Sequence, residues 1–221
     1  KNLNINSPTN RIITSMCSKE RLLYILKYGI VYVNIEKEVD GVIEKRDEKH
    51  IMRYQQLFAS LAVKKKISEG ARGGVIWHTQ GSGKTALSYY LVNVLTDYYA
   101  SKKIVPKFYF IVDRLDLLVQ ASDEFKARGL EVKTANTREE LMKQFKNNQS
   151  LEGNSGNKEI TVVNIQRFEE DYEKIDLPEY ATNLQRIFIV DEAHRGYNPP
   201  GRFLLNLFDA DKNSIKIALT G

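Results

Sequence analysis

From residue 74 onward, short continuous apolar runs alternate with longer stretches in which apolar residues recur every three or four positions. The runs at 75–77, 108–112, 160–164, 187–190 and 215–219 are too short for helices and rich in β-branched and aromatic residues, so they predict strands. Between the first two, Leu87, Leu91, Val94 and Leu95 have the spacing of one buried helical face. Residues 115–128 predict a second amphipathic helix and residues 138–145 a third. Uninterrupted apolar strands separated by helices imply an α/β fold, a mostly parallel sheet sandwiched by helices on both faces. Right-handed crossovers then gather the C-terminal ends of the strands on one edge.

The part before residue 74 reads differently. Residues 1–15 are polar, with the breaker Ser7-Pro8-Thr9-Asn10, and predict an irregular lead-in. Ser18 is placed as an N-cap for a helix through Leu22, Leu23 and Leu26, with Gly29 as its stop. Residues 30–33 predict a strand, and Asp40-Gly41 between Val39 and Val42 predicts a hairpin turn. A helix is expected over 51–68, ended by the glycines at 70, 73 and 74. The polar, glycine-bearing stretch 146–157 predicts a surface loop. We therefore divide the chain into a lead-in of helix plus hairpin over 1–50 and an α/β lobe over 51–221.

Two segments at the ends of predicted strands carry the chemistry. His78-Thr79-Gln80-Gly81-Ser82-Gly83-Lys84-Thr85 follows the first strand and opens the first helix. Its backbone N–H groups can wrap phosphate oxygens, Lys84 can reach the terminal phosphates, and the Thr85 hydroxyl can ligate Mg²⁺. The pattern departs from the common Gly-x-x-x-x-Gly-Lys-Ser/Thr in having His78 where the first glycine would stand. Asp191-Glu192-Ala193-His194 follows the fourth strand. Asp191 is a ligand for the same metal, and Glu192 can orient or deprotonate an attacking water. His194 either couples the nucleotide site to the rest of the molecule or satisfies hydrogen bonds at the base of the loop. Arg53-Tyr54-Gln55-Gln56 lies one helix upstream, and a glutamine amide there can match the N6 and N7 edge of adenine or be a plain helical glutamine. The reading from residues alone is an ATP- and Mg²⁺-dependent machine, or part of one.

Composition narrows this further. No apolar stretch is long enough to span a membrane and no signal peptide opens the chain, so no membrane partner is expected. The single cysteine, Cys17, excludes an internal disulfide and fits a reducing cytoplasm. The net charge of +5, from 33 basic and 28 acidic residues, is compatible with a phosphate-rich partner without requiring one. The chain opens at Lys1 and stops directly after an apolar run at Thr220-Gly221, and we read it as a fragment of a larger protein.

Taken together the motifs resemble the first RecA-like lobe of superfamily 2 helicases and translocases, and more narrowly the restriction (motor and nuclease) subunit of type I restriction-modification enzymes. His78 through Thr85 resembles that family's motif I, in which histidine replaces the first glycine. Val112-Asp113-Arg114-Leu115-Asp116-Leu117 with Gln120 is similar to motif Ia. Val163-Asn164-Ile165-Gln166-Arg167-Phe168 resembles the segment that follows, and Val190-Asp191-Glu192-Ala193-His194-Arg195 resembles motif II. Leu219-Thr220-Gly221 resembles the opening of motif III, with Thr220 a coupling residue beside His194. Arg53-Tyr54-Gln55-Gln56 resembles the adenine-reading glutamine motif, Gln56 being the better match, and Cys17 through Leu23 resembles the segment that joins nuclease and motor regions.

The resemblance implies Lys84, Asp191 and Glu192 as catalytic residues and Gln56, Thr79, Gln80, Gly81, Ser82, Gly83, Lys84 and Thr85 as the nucleotide site, with Thr85 and Asp191 on the metal. It implies an endonuclease subunit that pumps double-stranded DNA using ATP before cutting, with methylation and specificity subunits as partners. Arg114, Gln166 and Arg167, after or at the ends of strands, would contact DNA backbone phosphates without reading sequence. A nuclease domain would precede Lys1 and a second motor lobe with an arginine finger would follow Gly221, so this piece alone should hydrolyse ATP only marginally. We identify no credible Asp…Glu-x-Lys nuclease site in the 221 residues. The alternatives are another superfamily 2 motor (a type III restriction subunit, a repair helicase or an RNA helicase), a catalytically silent nucleotide-dependent binding module, and a P-loop kinase or small-molecule transferase.

Overall fold

The computed structural model describes residues 15–39, 42–146, 158–165, 183–193, 206–209 and 211–221. Helix α1 (Lys19–Tyr28) starts at Ser18, whose hydroxyl accepts a hydrogen bond from the Arg21 amide, and stops at Gly29, as expected. Strands β1 (Ile30–Val39) and β2 (Val42–Ile51) pair antiparallel from Ile30↔Ile51 to Val39↔Val42, and the turn expected at Asp40-Gly41 lies outside the described residues. Val31 and Val33 point inward from β1, and with Met52 they join the same buried cluster as the lobe that follows.

Helix α2 (Tyr54–Ser68) begins three residues later than the sequence pattern suggests. Ile51 is claimed by the last hairpin pair, and the Met52 amide bonds back to the Gly29 carbonyl at 2.7 Å, so the chain is still extended there. The lobe then runs β3 (Gly73–Trp77), α3 (Lys84–Ala100), β4 (Val105–Val112), α4 (Leu115–Ala127), β5 (Glu131–Ala135), α5 (Arg138–Lys146), β6 (Glu159–Asn164), β7 (Leu184–Val190) and β8 (Ile215–Thr220). All five expected strands and all three expected helices of this part are present.

β5 was not anticipated. Its sequence Glu-Val-Lys-Thr-Ala has little apolar content, because it is an edge strand that pairs only with β6 and buries only Ala135 fully. The sheet order is β3-β8-β7-β4-β6-β5, and every pairing within it is parallel. β3 is thus the other edge strand. A sheet sandwiched by helices on both faces implies that the apolar run before the first motif is buried, and here the structure differs: Val75 is 69 % and Trp77 81 % exposed.

One face of the sheet carries Phe110, Val112, Ile187, Ile189, Ile215, Ile217 and Leu219 against α3 and α4, where Leu87, Leu91, Val94 and Leu95 are all fully buried. The other face carries Tyr109, Ile111, Phe188 and Val190 against Leu141 and Phe145 of α5 and Leu207. Burying each such side chain stabilises by about 1.5–3 kcal/mol. Parallel pairing and register bring Trp77, Thr220, Val190 and Val112 to one edge. No described helix is long and apolar enough to cross a membrane.

Candidate nucleotide-binding site

On that edge the chain leaves β3 at Trp77 and re-enters a helix at Lys84, so residues 78–83 form a loop whose far end is the N-terminus of α3. Two glycines let it turn: Gly81 has φ +75° and Gly83, the N-cap, has φ +80°, both in the left-handed region that favours glycine. The Ser82 amide bonds the Thr79 carbonyl at 3.2 Å, closing the loop on itself. The His78 amide bonds the Thr220 carbonyl at 2.9 Å, tying the loop to the end of β8. Gly221 lies so near that a Cβ there would stand 2.6 Å from the His78 carbonyl oxygen and 3.0 Å from Lys84 Nζ. The first-turn N–H groups of α3, with the positive end of its dipole, face this concavity, which favours an anion.

Opposite the loop, β7 ends in Asp191 and Glu192. The Asp191 amide bonds the Ile111 carbonyl and the Ala193 amide the Leu219 carbonyl, both at 2.9 Å, so the turn is held by the strands on either side. Glu192 sits at φ +47°, a conformation rare for a residue with a side chain, and it directs its carboxylate to Lys84 Nζ at 3.4 Å. Both partners are largely buried. Burial raises the Asp191 pKa from its ordinary value; the Glu192 backbone hydrogen bond and the Lys84 charge pull it down, and the Glu192 and Asp113 charges push it up. Burial and the Lys84 charge together lower the pKa of His78.

Gln80, Gly81, Gly83, Lys84, Thr85, Asp191 and Glu192 line one cleft of about 250 Å³, closed at its side by Phe110, Val112 and Leu117. A larger, mostly apolar hollow of about 350 Å³ lies between α2 and β3, lined by Ala59, Val63, Ile67, Val75 and Trp77. The smaller cleft is the chemical one, because it alone joins a phosphate loop, a lysine and two carboxylates. Ser82 Oγ is buried and has no hydrogen-bond partner among the described residues. No cluster of three or more His, Cys, Asp or Glu side chains that could hold a metal occurs among the described residues. Mg²⁺ in nucleotide sites is usually held by one or two carboxylates together with substrate phosphates. Thr85 and Asp191 face the same cleft and fit that mode, and a divalent cation would relieve the crowding of Asp191, Glu192 and Asp113.

Of the residues named from sequence, Thr79 lies at the exposed turn of the loop, and Gln56 is buried against the loop from behind. Arg114 is exposed at the start of α4, 3.7 Å from Asp116. Thr220 reaches the site through its carbonyl. Gln166, Arg167 and His194 lie outside the described residues. Asp113 was passed over as a charge in the site, although it follows a strand as Asp191 does; its Oδ1 is buried without a hydrogen-bond partner among the described residues.

The sequence profile of the SWI2/SNF2 ATPase family matches residues 55–221, three quarters of the chain. The chain belongs to the SWI2/SNF2 ATPase family. Curated relatives point the same way as the motifs. The ATPase is 35 % identical over 148 residues to the type I restriction enzyme SauCOLORF180P endonuclease subunit of Staphylococcus aureus strain COL, covering 65 % of this chain and 14 % of that protein. It is 27 % identical over 235 residues to the putative type I restriction enzyme MjaVIIIP endonuclease subunit of Methanocaldococcus jannaschii, covering 98 % of this chain and 22 % of that one. The chain thus spans only a small part of the length of these relatives. Among solved structures it is similar in fold to a nuclease-deletion mutant of the type ISP restriction-modification enzyme LlaGI in complex with a DNA substrate mimic, with a TM-score of 0.50 at 16 % identity over 77 % of this chain and 17 % of that one. The crystal structure of T4 UvsW gives 0.51 at 14 % identity, over 92 % of this chain and 34 % of that one. The lobe has a RecA-like α/β fold, and the resemblance to type I restriction endonuclease subunits agrees with the curated relatives.

Proposed function

We propose that this ATPase lobe drives translocation of double-stranded DNA within a type I restriction enzyme. The observation that carries the reading is the meeting of Lys84, Thr85, Asp191 and Glu192 in one cleft at the end of a parallel sheet. ATP enters with its phosphates on the Gly81–Lys84 backbone, and Lys84 exchanges Glu192 for the terminal phosphates. Released from Lys84, Glu192 orients a water on the γ-phosphorus and takes its proton as the bond to the ADP oxygen breaks. Thr85 and Asp191 would hold Mg²⁺, which supplies charge neutralisation on the phosphates. The Thr220 carbonyl and Gly221 pack on the phosphate loop, so changes in the loop reach β8 directly.

DNA would pass over the same sheet edge, where the exposed Arg114 guanidinium can take a backbone phosphate. The relative of similar fold was solved with a DNA substrate mimic, which supports this choice of polymer. The partners proposed are the methylation and specificity subunits of a restriction complex. The test is displacement of a triplex-forming strand by the full-length subunit assembled with those partners. Displacement that needs ATP and Lys84, without separation of the duplex, supports the proposal. Strand separation, or stimulation by RNA alone, would assign the lobe to another kind of superfamily 2 motor.

A further inference from the structure

Helix α4 forms the wall of the cleft across from the phosphate loop, and it carries one polar side chain there. Leu117, Gln120 and Ala121 line the cleft from this helix, with Phe110 and Val112 of β4 beside them. Spacings of three and four residues belong to a single helical face, so all three helix residues look the same way. Every other residue on this wall is apolar. Gln120, which is exposed, is the one member whose side chain can donate or accept a hydrogen bond.

The sheet order decides what Gln120 faces. The loop hangs from β3 and α4 follows β4, while β8 and β7 lie between them in the order β3-β8-β7-β4. Asp191, at the end of β7, therefore stands between the phosphate loop and α4, and Thr85 lines the same cleft from the first turn of α3. Mg²⁺ dehydrates reluctantly and keeps several waters when carboxylates and substrate phosphates hold it. On the side away from the loop, the Gln120 amide oxygen is the sole side-chain acceptor on the α4 wall for the hydrogens of such waters.

We infer that Gln120 is a positioning residue for the metal: its amide oxygen accepts a hydrogen bond from water in the Mg²⁺ hydration shell, and it makes no contact with the nucleotide itself. This rests on the nucleotide-site reading given above and deepens it. Nucleotide affinity then depends on Gln120 when Mg²⁺ is present and is indifferent to it when Mg²⁺ is removed.

The test measures dissociation constants of ADP by calorimetry on the full-length subunit, once with saturating Mg²⁺ and once with a chelator. Gln120→Leu and Gln120→Glu are compared with wild type, and melting curves confirm that each is folded. The Leu variant removes the acceptor and extends the apolar wall, whereas the Glu variant keeps an acceptor oxygen. Gln120→Leu should weaken ADP about three- to tenfold with Mg²⁺, the scale of one lost hydrogen bond, and leave the metal-free affinity unchanged. Gln120→Glu should bind at least as tightly as wild type with Mg²⁺. Unchanged affinity of Gln120→Leu with Mg²⁺ would overturn the inference. So would an equal loss with and without Mg²⁺, or a Gln120→Glu variant as weak as Gln120→Leu. If wild type binds ADP under neither condition, the nucleotide-site reading itself fails and the inference falls with it.

Discussion

Lys84 and Glu192 form a buried pair in a site built for a third party. At 3.4 Å the lysine is held by the carboxylate that we propose manages the attacking water. Replacing Glu192 with Gln keeps a hydrogen-bonding side chain but removes the base. Hydrolysis by the full-length subunit should then fall by about 10²–10⁴, with nucleotide still bound; single-turnover kinetics beside a binding isotherm checks both halves, and retained turnover contradicts the role given to Glu192. The motif residues themselves were legible because their chemistry is local: two glycines, a lysine and a threonine on a loop, two acids after an apolar run. Three features were not. The positive φ of Glu192, the buried, unpartnered Ser82 hydroxyl and the contact of the Gln56 amide with the loop all depend on what the fold brings from distant positions, and no spacing along the chain encodes that.

At the scale of elements, the strands that aim these residues are held by ion pairs away from the site. Arg186 on β7 and Asp211 ahead of β8 pair at 3.2 Å with side chains 1 % and 0 % exposed. Asp211→Ala would leave a buried cation without its carboxylate, so it should cost about 3–5 kcal/mol in denaturant unfolding, far more than a surface substitution. Glu159 at the start of β6 is bridged by Lys107 of β4 and by Lys133 of β5 at 2.7 Å, stitching three strands together. Burial raises the Glu159 pKa, but the hydrogen bonds and charges of the two lysines outweigh it and leave the carboxyl below its ordinary 4.5. A depressed folded pKa means stability that is present above the unfolded value and lost as pH falls through the folded one. The melting-temperature gap between wild type and Glu159→Gln should therefore be full at neutral pH and shrink as pH drops below 4.5, and a gap independent of pH would contradict the assignment. Helices α3 and α4 and the central strands were readable from periodicity. β5 was hidden because an edge strand needs little apolar surface, and α2 began late because hairpin pairing outcompeted helix at Ile51.

For the molecule as a whole, parallel order is what makes the site. Each strand delivers its C-terminal loop to one edge, so residues more than a hundred positions apart meet in a cleft of about 250 Å³. The same edge leaves Arg114 exposed, and on the proposed DNA path Arg114→Ala should lower DNA stimulation of the full-length subunit's ATPase while sparing its basal rate. An unchanged stimulation would remove Arg114 from the DNA path. The α/β class and the position of the cleft followed from apolar patterning and handedness. The exposure of β3 did not, since an apolar run reads the same at an edge as in the centre. The central claim is that this cleft binds ATP through the phosphate loop, and calorimetric titration of Mg-ATP into wild-type and Lys84→Ala chains tests it most directly. Saturable one-to-one binding that weakens about 10–100-fold in the variant is the expected result, matching loss of a charged hydrogen bond to phosphate. Equal affinity in the two chains, or no binding by wild type, would contradict it.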